Sequence, residues 1–109
     1  MKRNSNAQQT GFILDQLSPL EDLRSRSMFG GHGLYSGPSF FGIVYDGRLY
    51  FKTNTVNRQP YESRGMKPFR PNGRQTMNYH EVPAEVIENA AELVQWARQA
   101  ILVSNNEHP

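Results

Sequence analysis

Glycine-containing turns divide the middle of this chain into short apolar runs. Gly30 and Gly31 interrupt the first run, and Asp46 and Gly47 end a second run that is rich in aromatic and β-branched residues. Glycine reaches positive φ without a Cβ clash, and an Asp-Gly pair between two such runs favours a two-residue hairpin turn. The runs between these turns are predicted to be short strands, so the middle of the chain is expected to form an antiparallel meander.

The strands and helices follow from these turns and from the remaining apolar spacing. A first helix over residues 7–17 ends at Ser18 and Pro19, and a second, capped by Asn57, ends near Gly65. A short helical turn and a longer amphipathic helix, capped by Asn89, close the chain. The predicted strands cover residues 24–29, 32–35, 40–45, 48–52 and 75–82.

This order of elements predicts an α+β domain with two layers, a mostly antiparallel sheet with helices packed on one face. A chain of 109 residues with 37% hydrophobic and 20% charged residues is expected to fold as one soluble domain. We expect a flexible amino terminus at 1–6, the folded domain at 7–103 and a flexible tail at 104–109. Phe29, Tyr35, Phe41, Tyr50 and Trp96 are expected to pack in or beside the core.

Several classes of function are disfavoured by what the sequence lacks. There is no cysteine, which removes disulfides, thiolate nucleophiles and cysteine metal sites. No apolar run approaches the roughly 20 residues of a membrane span, and no secretory leader pattern opens the chain, so a cytoplasmic protein is expected. The serines lack the GxSxG pattern of a nucleophile elbow. We therefore expect neither an enzyme nor a bound cofactor.

Histidines supply the one metal hypothesis. His32 and His80, with Glu81 or His108 as further ligands, would provide suitable donor atoms. They show neither the HxxxH nor the HExxH spacing that places two ligands on one helix face. The favoured interpretation is that these histidines are ordinary polar groups, and no metal is expected.

The segment 48–74 is strongly basic and is the main candidate for a binding function. It carries seven lysines and arginines against the single acid Glu62. Aromatic residues, among them Tyr61 and Phe69, alternate with these cations, a combination that suits phosphates and unpaired bases. Two interpretations remain open, a solvated basic face and a binding surface. The candidate contact residues are Arg58, Arg64, Lys67, Arg70 and Arg74.

A set of motifs in fixed order resembles the amino-terminal domain of the TfoX/Sxy family. The set comprises residues 26–35, 46–52, 68–69, 77–83 and 96–98, and the likeness extends from about Phe12 to Ile101. The resemblance implies a two-layer α+β fold in which the motif residues serve the scaffold. These structural motif residues are Phe29, Gly30, Gly31, Gly33, Tyr35, Asp46 and Gly47.

The resemblance also implies a regulatory role. Full-length members act in transcriptional control of competence genes, alongside a cyclic-AMP-responsive activator, and carry a second, helical carboxy-terminal domain. We expect a stand-alone module of this kind that binds another macromolecule, a protein such as a regulator or a component of the transcription machinery. Direct DNA or RNA binding through segment 48–74 is the alternative, and a homodimer is compatible with an exposed edge strand.

Overall fold

The computed structural model of the chain describes residues 5–28, 30–70 and 78–106. Helices and strands follow the order expected from the sequence, with one helix before the meander and three after it. The helices are α1 (Ser5–Gln16), α2 (Gln59–Ser63), α3 (Ala84–Ile87) and α4 (Ala90–Asn106). The strands are β1 (Leu23–Met28), β2 (Gly31–Ser36), β3 (Ser39–Tyr45), β4 (Arg48–Lys52) and β5 (Tyr79–Glu81).

The five strands form one antiparallel sheet in the order β1-β2-β3-β4-β5. Helices α1 and α4 pack on one face of it, and the main core lies between these two layers. Ile13 from α1 and Leu93 and Ala97 from α4 meet Phe41 and Phe51 from the sheet, and all five are fully buried. The predicted α+β fold, with helices on one face of an antiparallel sheet, is confirmed.

A β-bulge divides the side chains of β3 between the two faces of the sheet. Leu34 pairs with Gly42, but the next residue, Tyr35, pairs with Phe40, so Phe41 is an extra residue in β3. This irregularity places Phe41 in the core beneath the helices. Phe40 and Ile43 instead join a second apolar cluster, which also contains Tyr50 and packs apart from the helices.

Three glycine-containing reversals of the chain have the backbone that their sequence predicts. Asp46 and Gly47 have φ of 53° and 76°, the pair of positive values that a type I′ hairpin turn requires. Gly30 has φ of 79° ahead of β2, and Gly65, with φ of 71°, ends the segment that follows α2. The conformational part of the glycine argument is therefore confirmed at these positions.

Gly31 differs from the prediction because it lies inside β2 rather than in the turn before it, whereas Gly33 lies in this strand as predicted. A Cβ added at Gly31 would overlap the backbone carbonyl oxygen of Val44 on β3. A Cβ at Gly33 would lie 2.7 Å from Met28 Cε and 2.9 Å from a ring carbon of Phe40. These two glycines therefore serve close approach between strands rather than chain reversal.

The prediction that Asn57 caps α2 was wrong. Gln59 begins the helix, after Arg58 in a helical conformation, and Pro60 falls in the first turn as expected. The Asn57 side chain is used elsewhere: its Oδ1 accepts from the amide of Asn54 at 2.8 Å, and its Nδ2 donates to the carbonyl of Lys52 at 3.0 Å. Asn57 thus closes the turn after β4 and is not available to the helix.

The ends of the domain also differ from the prediction. Helix α1 begins at Ser5, before the expected residue 7, and α4 continues to Asn106, past the expected boundary at 103. Ser104 is buried, and the Ser39 hydroxyl donates to the side-chain oxygen of Asn105. Residues 104–106 are therefore part of the packed helix. The predicted strand over 75–82 is observed as β5, with 75–77 outside the described residues.

Gly31→Ala should lower the free energy of unfolding by about 1–3 kcal/mol, because its methyl group must displace the backbone of β3. Gly11→Ala is the matched control, since a Cβ at this exposed helical position meets nothing within 4 Å. The control should raise stability by about 0.5–1 kcal/mol through helix propensity. Urea unfolding of both variants tests this; equal stability of Gly31→Ala and the parent would contradict the close-approach argument.

Candidate interaction surfaces

The described candidate contact residues of segment 48–74 lie in two different parts of the molecule. Arg58 and Arg64 lie on the helical side, where Arg58 pairs with Glu62 at 3.3 Å and Arg64 pairs with Glu85 at 3.5 Å. Lys67 and Arg70 line a groove beside β4 and β5 instead. Arg74 lies outside the described residues. The single contact surface expected from the sequence is therefore distributed over two parts of the molecule.

An apolar pocket of about 210 Å³ lies on the helical side, between α2 and α4. Its walls are aromatic and aliphatic, and the Tyr61 and Trp96 rings meet edge to face with centroids 4.7 Å apart. The guanidinium of Arg64 lies over the Trp96 ring at 5.2 Å from its centroid. We call this the Trp96 pocket. Its lining residues are Val56, Asn57, Pro60, Tyr61, Trp96 and Gln99.

Val56 gives the Trp96 pocket an exposed apolar rim. Its side chain is 77% exposed, the highest value among the large hydrophobic residues that the structure describes as exposed. It stands alone in the polar stretch after β4, so nothing in the local sequence marks it as a core residue. Tryptophan, tyrosine and arginine are the residue types most enriched at binding hot spots, and all three meet beside this valine.

A larger, polar groove of about 720 Å³ opens beside the other face of the sheet. Arg48, Lys67 and Arg70 supply three cations to its lining, and Glu81 supplies the acid. Arg48 Nη1 donates to Glu81 Oε2 at 3.1 Å, which leaves Lys67 and Arg70 as the cations outside that ion pair. Tyr50 also lines the groove, and burial raises the pKa of its hydroxyl. The groove is therefore suited to anionic groups.

The two candidate histidine ligands are far apart. His32 is on β2 and His80 on β5, so three strand spacings, about 14 Å, separate their backbones. His80 Nδ1 is instead 2.8 Å from the Thr53 hydroxyl, and His108 lies outside the described residues. Within 5–28, 30–70 and 78–106, no three His, Asp or Glu side chains are placed to hold a metal ion.

Comparison with known proteins assigns the chain to a family. A family model described as the TfoX N-terminal domain matches residues 15–104. The chain belongs to this family. A curated relative, the DNA transformation protein TfoX1 of Aliivibrio fischeri (strain ATCC 700601 / ES114), is 32% identical over 79 residues, which cover 70% of this chain. The matched region is 38% of that relative, so this TfoX N-terminal domain corresponds to well under half of its length.

The family resemblance drawn from the motifs is therefore confirmed, and the family is a regulatory one. In this TfoX N-terminal domain the motif glycines shape β2 and its preceding turn, and Asp46 and Gly47 form the β3–β4 hairpin. Phe29 lies outside the described residues, while Tyr35 is half-buried against Phe40. No helix in the described part of the chain is long and apolar enough to cross a membrane.

Sequence reasoning missed the residues that tertiary packing brings to these surfaces. Trp96 packs beside the core as expected, but it is only partly buried and also forms a pocket wall, which its place on an amphipathic helix did not predict. Val56 was one apolar residue in a predicted capping segment. Their proximity depends on α2 packing across α4, a contact between residues about forty positions apart that no local pattern contains. An exposed apolar residue in a polar turn was the one available signal.

Tyr61→Phe should leave stability unchanged or raise it slightly. The Tyr61 side chain is 2% exposed, and its hydroxyl has no hydrogen-bond partner among the described residues. Removing an unsatisfied buried hydroxyl relieves a desolvation cost while the ring keeps its packing. Thermal unfolding of the variant beside Tyr61→Leu, which removes the ring, provides the comparison. A fall in melting temperature for Tyr61→Phe would reveal a partner for the hydroxyl.

Stability should fall as the pH drops below about 6.5. Burial lowers the pKa of His80, which is 9% exposed, so the folded state prefers the neutral ring. Between the lowered pKa and about 6.5 the unfolded state binds more protons, so acidification favours unfolding there. His80→Gln should flatten this part of the profile of unfolding free energy against pH. A variant profile parallel to that of the parent would show that His80 does not cause the dependence.

Proposed function

We propose that this TfoX N-terminal domain is a regulatory module linked to transcriptional control of DNA-uptake competence, and that it acts by binding another macromolecule rather than by catalysis. The observation that carries the proposal is the family match over residues 15–104. The name of the A. fischeri relative, a DNA transformation protein, supports the link to DNA uptake. The described surfaces support binding because they offer concave sites with hot-spot residue types.

We infer that the partner is a protein and that the Trp96 pocket is its anchor site. A volume of about 210 Å³ suits one or two apolar side chains of a partner rather than an extended ligand. The surrounding cations Arg58 and Arg64 form partly exposed ion pairs, which contribute little to stability and can be exchanged. The partner segment that fits this chemistry carries an apolar side chain next to carboxylates.

Val56→Glu tests the pocket without disturbing the core, because the parent side chain is 77% exposed. The charge would stand at the apolar rim, and we expect partner retention to fall about tenfold or more. Leu102→Glu is the matched control: Leu102 is 52% exposed and borders a different concavity, with Leu20 and Arg98. Tagged parent and variants would be expressed in the native host, and the co-purifying proteins compared after nuclease treatment.

A protein that the parent and Leu102→Glu retain and Val56→Glu loses would support the anchor site. A co-purifying protein that the parent and both variants retain equally would refute the anchor site, although it would still be a partner. The regulatory role is tested separately by deleting the coding sequence and measuring competence-gene transcripts and transformation frequency. Unchanged values under competence-inducing conditions would refute the competence link, and restoration by the parent but not by Val56→Glu would join the two parts of the proposal.

A further inference from the structure

The register of the strands identifies the side chains on the face of the sheet opposite the helices. Directly paired residues of an antiparallel sheet project to the same side. One row of such pairs runs across all five strands: Arg26 with Gly33, Gly33 with Ile43, Ile43 with Tyr50, and Tyr50 with Glu81. Ile43 and Tyr50 belong to the second apolar cluster and not to the core beneath the helices, so this row lies on the helix-free face.

The same face carries a series of aromatic rings. Tyr35 and Phe40 stack with centroids 4.9 Å apart and an interplanar angle of 21°, and Phe40 lies 5.8 Å from Tyr79. Tyr45 meets Phe69 at 5.5 Å. Tyr35, Phe40 and Tyr45 are only partly buried, so part of their surface is accessible. Flat aromatic side chains on a sheet are the platforms on which unpaired bases stack.

The glycines of β2 leave two positions on this face without a side chain. Gly31 and Gly33 both project toward it by register, opposite Met28 and Arg26 of β1. A Cβ at Gly31 would lie 3.3 Å from a ring carbon of Tyr45, so that ring occupies the space above a backbone without a side chain. The aromatic residues therefore lie across β2 and β3 instead of being separated by a ridge of side chains.

The charge of this face favours an anionic partner. By register, the described strands place four cations on it, Arg24, Arg26, Arg48 and Lys52, and one acid, Glu81. Glu81 pairs with Arg48, and Arg24 lies 3.7 Å from the carboxylate of Asp22 in the preceding turn. Arg26 is exposed on the edge strand β1. Lys67 and Arg70 add two cations along the groove beside Tyr50.

We propose that this helix-free face binds single-stranded nucleic acid, with bases on Tyr35 and Phe40 and phosphates at Arg26 and the groove cations Lys67 and Arg70. Aromatic faces with cations on both sides match a strand that alternates bases and phosphates. A duplex buries its base faces, and no helix in the described part of the chain projects from this surface to enter a major groove. The proposal involves a different surface from the Trp96 pocket and does not depend on the protein partner.

Direct binding to purified protein tests the proposal. Fluorescence anisotropy with a labelled mixed-sequence DNA strand of about 16 nucleotides, the matching RNA and the DNA duplex would be measured from about 50 mM to about 200 mM KCl. We expect both single strands to bind more tightly than the duplex, and the affinity to fall steeply with salt. No detectable single-strand binding at the lowest salt, or a preference for the duplex, would overturn the proposal.

Two variants separate the phosphate contacts from the base contacts. Arg26→Ala should weaken binding severalfold and reduce the slope of log affinity against log salt by about 0.7, the value for one phosphate on a single strand. Tyr35→Ala should weaken binding about tenfold and leave the slope unchanged. Arg98→Ala is the matched control, because Arg98 is an exposed arginine of α4 in the opposite layer.

Folding and specificity are controlled within the same series. Tyr35→Phe retains the ring, so it should bind like the parent even if Tyr35→Ala proves too unstable to assay. Val56→Glu should also bind like the parent, which separates this proposal from failure or success of the protein-anchor site. An Arg98→Ala variant weakened as much as Arg26→Ala would indicate non-specific charge attraction and overturn the assigned face.

Discussion

The pairing of β2 with β3 depends on Gly31, a position where the backbone of β3 leaves no room for a side chain. The carbonyl of Val44 occupies the space that a Cβ at Gly31 would need, and Met28 with Phe40 occupies that of Gly33. β2 pairs with both β1 and β3, and these are the two most extensive strand pairings in the sheet. A shift of β2 would therefore disturb three of the five strands. The motif that identifies the family is therefore explained by packing, and its glycines require no ligand to account for them.

A single helical layer leaves the second face of the sheet to stabilise itself. A chain of 109 residues supports one core of ordinary size, and here the core lies between the sheet and helices α1 and α4. The opposite face buries Ile43, Tyr50, Phe69 and Tyr79 by packing ring against ring. Aromatic residues achieve this because each removes a large area from water while its hydroxyl or its edge can still meet solvent. The bulge at Phe41 makes the division possible by changing which side chains of β3 point each way.

Local sequence patterns predicted what depends on local physics. The Asp46–Gly47 turn, β4 and the cap at Asn89, whose side chain accepts from the amide of Glu92 at 3.1 Å, were all predicted because backbone conformation and short-range hydrogen bonds determine them. The predictions for Asn57 and for the end of α4 were wrong, because each feature depends on a contact from elsewhere in the chain. The Asn57 side chain donates to the carbonyl of Lys52, and the last turn of α4 meets Ser39. The candidate site was harder still, because a run of cations in sequence says nothing about which layer each one faces.

The separation of the two surfaces onto opposite layers has a physical consequence for regulation. The Trp96 pocket is built from α2 and α4, whereas the aromatic and basic face belongs to the far side of the strands, with the buried core between them. No described side chain of one surface is a lining residue of the other. Under the two proposals, a partner on the helical layer and a partner on the sheet would therefore contact different side chains. If both proposals hold, the domain brings a protein and a single nucleic-acid strand together by geometry alone.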